Sequence, residues 1–166
     1  MTELFAVLCA DASDPRPGWP GEAKTRSGRR RRRARRAGRA LLRLGASGAR
    51  VLHSPRLRAL ESADILLRRL GGEGVACRGL DQPPSAELLA QMAGEKVVVV
   101  GHEPWLGRLV AGLVLGAPRE TRFRLEEAGV AWLEGEARLG GMKVKALLPR
   151  RAVRSLGRKG KGEREP

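Results

Sequence analysis

Tyrosine and asparagine are absent from this chain, isoleucine occurs once (Ile65), and aromatic residues make up 3% of it. So few rings leave no surface on which bases could stack, so any contact with nucleic acid would fall on phosphates. Two cysteines, Cys9 and Cys77, are too few for a disulfide framework and stand in no metal-ligand spacing. With no ligand cluster in the sequence, neither a metal nor another cofactor is expected. No apolar run approaches the roughly 20 residues that a membrane helix needs. Met1 to Ala10 lacks a basic start and soon meets Asp11 and Asp14, which does not read as a signal peptide. The expectation is a cytoplasmic protein with no membrane contact. Acidic residues are also scarce, 18 against 33 Lys and Arg, for a net charge of +15. That excess invites a nucleic-acid reading. A plainer source is codon bias, because Arg, Gly, Ala and Leu have GC-rich codons and the missing residue types AT-rich ones.

What is present fits one globular domain: 166 residues, 42% hydrophobic and 31% charged. Leu4 to Cys9 is an apolar run of strand length, and Asp11 to Gly21 is a Pro/Gly/Asp loop. Ala34, Ala37, Leu41 and Leu44 share one face of a helix capped by Ser27 and stopped at Gly45. Most arginines of the Arg29 to Arg39 block fall opposite as a solvated face, with Arg30 the exception. Arg50 to His53 is a strand, and Ser54-Pro55 opens a helix that Gly71-Gly72 closes. A short strand is expected at Val75 to Cys77 and a short helix at Ser85 to Met92. Val97 to Val100 has the composition of a central strand buried on both faces. A helix follows from Glu103-Pro104 to about Leu115, then strands near Gly129 to Glu134 and Met142 to Leu148. Alternating strands and helices predict an α/β class, a three-layer α/β/α sandwich with a mostly parallel central sheet. The domain is expected over 1–150, with 151–166 a basic, disordered tail.

Ligands in such sheets lie beyond the carboxyl ends of the strands. Cys9 to Asp11, His53 to Arg58 and Gly101 to Trp105 reach that edge. His102 follows a buried strand and precedes a Pro-started helix, whose free N–H groups would favour an anion; Gly101 would allow close approach. The alternative is a histidine that merely caps the helix. Arg58 lies in the first turn of its helix, unfavourable for the dipole unless an anion binds there. Arg56 reads as a surface residue of an Arg-rich chain.

The segments Lys24-Thr25-Arg26-Ser27-Gly28-Arg29-Arg30, His53-Ser54-Pro55-Arg56-Leu57-Arg58-Ala59-Leu60-Glu61-Ser62-Ala63 and Val100-Gly101-His102-Glu103-Pro104 together resemble a known family. They are similar to the histidine phosphatase superfamily (phosphoglycerate mutase-like), in particular its short phosphohistidine phosphatase, SixA-like branch. Glu127-Ala128-Gly129-Val130-Ala131 and Leu147-Leu148-Pro149-Arg150 extend the resemblance, which runs in order from about Leu4 to Arg150. It implies that Arg58 is a phosphate-binding arginine and His102 the second histidine of the pocket. The family's first strand ends in Arg-His-Gly, whose histidine takes the phosphoryl group. Here Leu8, Cys9 and Ala10 stand at those three positions.

The resemblance therefore implies a phosphohistidine phosphatase-like protein with a degenerate site, a non-catalytic or weakened relative that still binds phosphate or a phosphorylated protein or small molecule. One rival is an active metal-independent phosphatase using Cys9, since a thiolate can attack phosphorus. Against it, no Cys-x5-Arg loop is present: Arg16 is one residue too far from Cys9. A buried apolar cysteine is the plainer reading. A second rival is weak, non-specific binding of nucleic acid or an acidic partner through the Arg-rich helix and tail.

Overall fold

Val97 to Val100 form the middle of β4 (Lys96–Gly101), where no valine side chain is more than 1% exposed. A strand so covered on both faces belongs at the centre of its sheet. β1 (Thr2–Leu8) and β2 (Arg50–His53) flank it, both parallel. β3 (Gly74–Ala76) joins β2 in parallel. On the far side, β5 (Val130–Gly135) runs antiparallel to β1, and β6 (Met142–Leu148) antiparallel to β5. The order is β3-β2-β4-β1-β5-β6, a mostly parallel sheet. The computed structural model describes residues 1–9, 20–117 and 124–160, and within 20–27 the backbone alone. The expected position of Ala10, most of the Asp11 to Gly21 loop, and the last residues of the expected tail lie outside the described residues.

Because side chains alternate along a strand, β1 feeds two cores. Phe5, Val7 and Cys9 pack with Val98 and Val100 under α1 (Pro20–Arg43), α2 (Leu57–Leu70) and α5 (Arg150–Leu156). Leu4, Ala6 and Leu8 pack with Val97 and Val99 under α3 (Ala86–Gln91) and α4 (Trp105–Leu115). This is the expected three-layer α/β/α arrangement. It also settles the direction of two neighbours at the end of β1. Leu8 faces the α4 layer and Cys9 the α1–α2 layer.

Three local expectations are corrected. α1 starts at Pro20, so Ser27 lies inside it and is not its cap. α2 starts at Leu57, after Ser54-Pro55. A residue before proline is driven to extended backbone, and the Ser54 hydroxyl instead accepts from Arg56 N (3.2 Å) and donates to Asp81 Oδ1 (2.8 Å). Gly71 does end α2, in the left-handed region at φ 71°. Finally, the chain after 150 does not begin as a disordered tail. Arg150–Leu156 is α5, docked on α1 through buried Val153. Two apolar anchors, Val153 and Leu156, among arginines are easily missed when only composition is weighed.

Two contacts hold α5 in place. Arg39 Nε donates to Gly157 O (2.6 Å), and Arg43 Nη1 donates to Leu156 O, satisfying carbonyls at the helix end. Gly157 lies so close to α1 that a Cβ there would fall 2.1 Å from Arg36 O. Gly157→Ala is therefore expected to push α5 off α1 and cost about 1–3 kcal/mol, the usual scale of overpacking. Amide exchange at Val153 should accelerate and the melting temperature fall; unchanged exchange would show that docking does not need this approach.

Candidate functional site

The register of the parallel strands brings three segments to one edge. Leu8 pairs with Gly101 and His53 with Val100, and the next residues continue the ladder. Cys9 N donates to Gly101 O (2.9 Å), and Ser54 N donates to Val100 O (3.0 Å). Cys9, His102 and Ser54 thus leave the sheet side by side at its carboxyl edge, where α/β sheets bind ligands. Ala128 N donates to Leu8 O (3.1 Å), which closes the side next to β5.

Cys9 is 2% exposed. Its Sγ donates to Arg58 O (3.3 Å) and lies 3.4 Å from Ser62 Oγ. Burial pushes its pKa up, against the lowering effects of the Ser62 hydrogen bond and the charges of Arg30 and Arg58; Glu127 raises it further. Cys77, whose Sγ donates to Gln91 Oε1 (2.9 Å), is raised by burial too. Both thiols therefore ionise at a higher pH than a free cysteine does. A pKa raised in the folded state stabilises it below the unfolded value, and that stabilisation is lost as pH climbs toward the folded value. Alkylation of native protein by iodoacetamide is expected to be slow near neutral pH, to stay slow to about pH 8.5, where free thiols react, and to become fast on unfolding. Rapid modification of Cys9 at pH 7 would contradict this.

Arg58 is half-buried in the first turn of α2 and holds Cys9 through its own carbonyl. A second cation was legible as an anomaly on the helical wheel but had no assigned role. Arg30, on the inward side of α1, acts electrostatically on Cys9, and its Nε is buried without a hydrogen bond among the described residues. Glu127, in the turn before β5, pairs with Arg33. Ser62, one helical turn after Arg58, was legible within its motif without a role; the structure makes it a partner of Cys9.

His102 is half-buried, and its carbonyl accepts from Leu106 N (2.8 Å). The expected free N–H groups of α4 are not all free. Glu103 Oε2 accepts from Gly107 N (3.1 Å), while its Oε1 accepts from Leu125 N (3.0 Å). The helix start is thus partly satisfied by its own carboxylate, which also ties down the segment leading to β5. Within the protein itself, a Cβ at Gly101 would meet the Leu106 side chain at an ordinary 3.5 Å. His53 is buried, with Nδ1 2.8 Å from Ser54 O, in the strand rather than at the pocket. Arg56, 64% exposed in its side chain, pairs with Asp81 (3.4 Å) at the surface. Among the described residues no group of three or more His, Cys, Asp or Glu is placed to hold a metal ion. Among them, too, no helix is long and apolar enough to cross a membrane.

No protein-family model matches the chain. No curated protein matches it in sequence. Solved structures do. The protein histidine phosphatase SixA complexed with tungstate aligns over 90% of this chain and 97% of its own, at a TM-score of 0.59 and 22% identity. Phosphoglycerate mutase from Plasmodium falciparum aligns over 87% and 89%, at 0.58 and 12% identity. Phosphoserine phosphatase from Entamoeba histolytica, in complex with 3-phosphoglyceric acid, aligns over 92% and 100%, at 0.58 and 14% identity. Superposition over about nine-tenths of the chain shows that it has the fold shared by these proteins, that of the histidine phosphatases.

Proposed function

We propose that this chain is a phosphohistidine phosphatase-like protein whose catalytic step is lost or severely weakened, and which retains an oxyanion site built on Arg58 and His102. The observation that carries the reading is the state of Cys9 at the end of β1. The resemblance puts a nucleophilic histidine there, but the residue is a buried thiol that donates to a backbone carbonyl and whose ionisation burial opposes. A nucleophile needs a lone pair directed at phosphorus and a thiol needs to ionise first; this one is turned toward α2. Its Leu8 neighbour belongs to the apolar core under α4, so no arginine rises from that position. Arg30 partly restores the lost charge from α1, so two guanidinium groups still influence the Cys9 site. Such an arrangement favours binding a phosphorylated group over breaking it down. SixA bound to tungstate and a phosphoserine phosphatase bound to 3-phosphoglyceric acid share the fold, which supports phosphate as the ligand class.

Phosphate release from a phosphohistidine protein and from an aryl phosphate, followed for wild type and Cys9→Ser, tests the reading. No turnover above background by either protein is the expected result. Turnover that disappears in Cys9→Ser would make Cys9 a nucleophile and end the proposal.

A further inference from the structure

Cys9 does not line the cavity of about 250 Å³ that lies between α1 and α5, although Ala128, which does, bonds to Leu8 beside it. The cavity lining carries six arginines, Arg29, Arg32, Arg33 and Arg36 from α1 and Arg150 and Arg154 from the start and last turn of α5, together with Ala128 and Val153. A basic helix face alone would be ordinary solvated surface. This one is different because the fold presses a second basic element against it. Buried Val153, the backbone approach at Gly157 and the bonds from Arg39 and Arg43 to the end of α5 hold the two helices together. Like charges gathered this way repel one another. The pKa of Arg36 is lowered, first by burial and then by the charges of Arg154, Arg32, Arg39 and Arg158. Glu127 pairs with Arg33, and among the described residues no carboxylate lines the cavity itself.

We infer that this cleft is a binding site for a condensed phosphate chain, separate from the oxyanion site at Cys9. Guanidinium groups grip phosphate oxygens by paired, charge-assisted hydrogen bonds. Six of them around a small cavity match a ligand with several charges per unit length. A condensed phosphate places successive charges one P–O–P bridge apart. A nucleic acid sets a sugar and a base between its charges, and among the described residues this lining holds no aromatic ring to receive a base. The cavity is also at or below the small end of ligand-site volumes, which suits a compact polyanion. Binding would relieve the repulsion between α1 and α5 and so stabilise the fold.

Inorganic tripolyphosphate, titrated calorimetrically at physiological ionic strength, is the probe. Arg32→Gln/Arg154→Gln, both exposed in the wild type, should weaken binding about a hundredfold or more, the scale of two lost charge-assisted contacts. Adding Arg36→Gln should weaken it further. Arg68→Gln/Lys143→Gln removes two exposed charges elsewhere and should change it no more than about twofold. Arg58→Ala should likewise leave it within about twofold, because Arg58 does not line the cleft. A thermal melt supplies the second readout: tripolyphosphate should raise the melting temperature of the wild type but not of the cleft variant. At low salt without ligand, the cleft variant should melt no lower than the wild type, since it has shed repulsion. Equal losses in the cleft and control variants would reduce the effect to diffuse charge and overturn the proposal. A loss confined to Arg58→Ala would place the ligand at Cys9 and overturn it. So would no binding at all, or an oligonucleotide that binds through the same arginines as tightly as tripolyphosphate.

Discussion

Phe5→Ala is expected to lower the stability of the protein by about 3–5 kcal/mol, a large share of the roughly 5–15 kcal/mol a domain of this kind has. Phe5 is completely buried in β1, stacked on Trp132 of β5 with ring centroids 5.5 Å apart and an interplanar angle of 19°. It shares a core with Ala37 and Leu41 of α1 and with Ala63 and Leu66 of α2. Removing the ring leaves a cavity at the junction of the central strand and both helices, where neither side can collapse without moving the strand. For a chain of this length the melting temperature should drop by roughly 6–20 °C, with a change in Trp132 fluorescence. Leu147→Ala, on a strand position 48% exposed, should cost no more than about 0.5 kcal/mol. Similar losses from the two substitutions would mean that the core does not centre on β1. The consequence reaches the site, because β1 ends at Leu8 and sets the position of Cys9.

Arg58→Ala is expected to weaken orthophosphate or tungstate binding by about ten- to a hundredfold, corresponding to about 1.5–3 kcal/mol for a charge-assisted contact. The measurement is best made in Arg32→Gln/Arg154→Gln protein, so that the arginines between α1 and α5 do not contribute. Arg56→Ala should stay within about twofold, because its side chain lies at the surface against Asp81. Arg30→Ala should fall between the two, since Arg30 reaches the Cys9 site from α1 while Leu8 supplies no charge. If Arg58→Ala and Arg56→Ala bind alike, the oxyanion site is not at the end of β2 and β4, and the functional reading loses its pocket.

Much of this architecture is legible along the chain because the signals are local. Four adjacent valines announce a doubly covered strand, and the stripe from Ala37 to Leu41 announces the inner face of α1. Gly71 closes α2 because its left-handed backbone favours a residue without a side chain. Segments around Cys9, Arg58 and His102 were expected at one edge, and parallel register brings them there. Where local signals compete, the reading slips. Ser27 has the chemistry of a cap, yet α1 passes through it, and α5 has too little apolar character to stand out from its arginines.

The sequence by itself determined the order and type of the strands and main helices, because periodicity and residue identity need no neighbours to be read. Tertiary structure alone decided that Cys9 is buried against Arg58 and Ser62, that Arg30 comes to the same site, and that α5 docks on α1 to gather six arginines around one cavity. Burial and electrostatic fields depend on which surfaces meet, and residues far apart in the chain meet only once the core between them has formed.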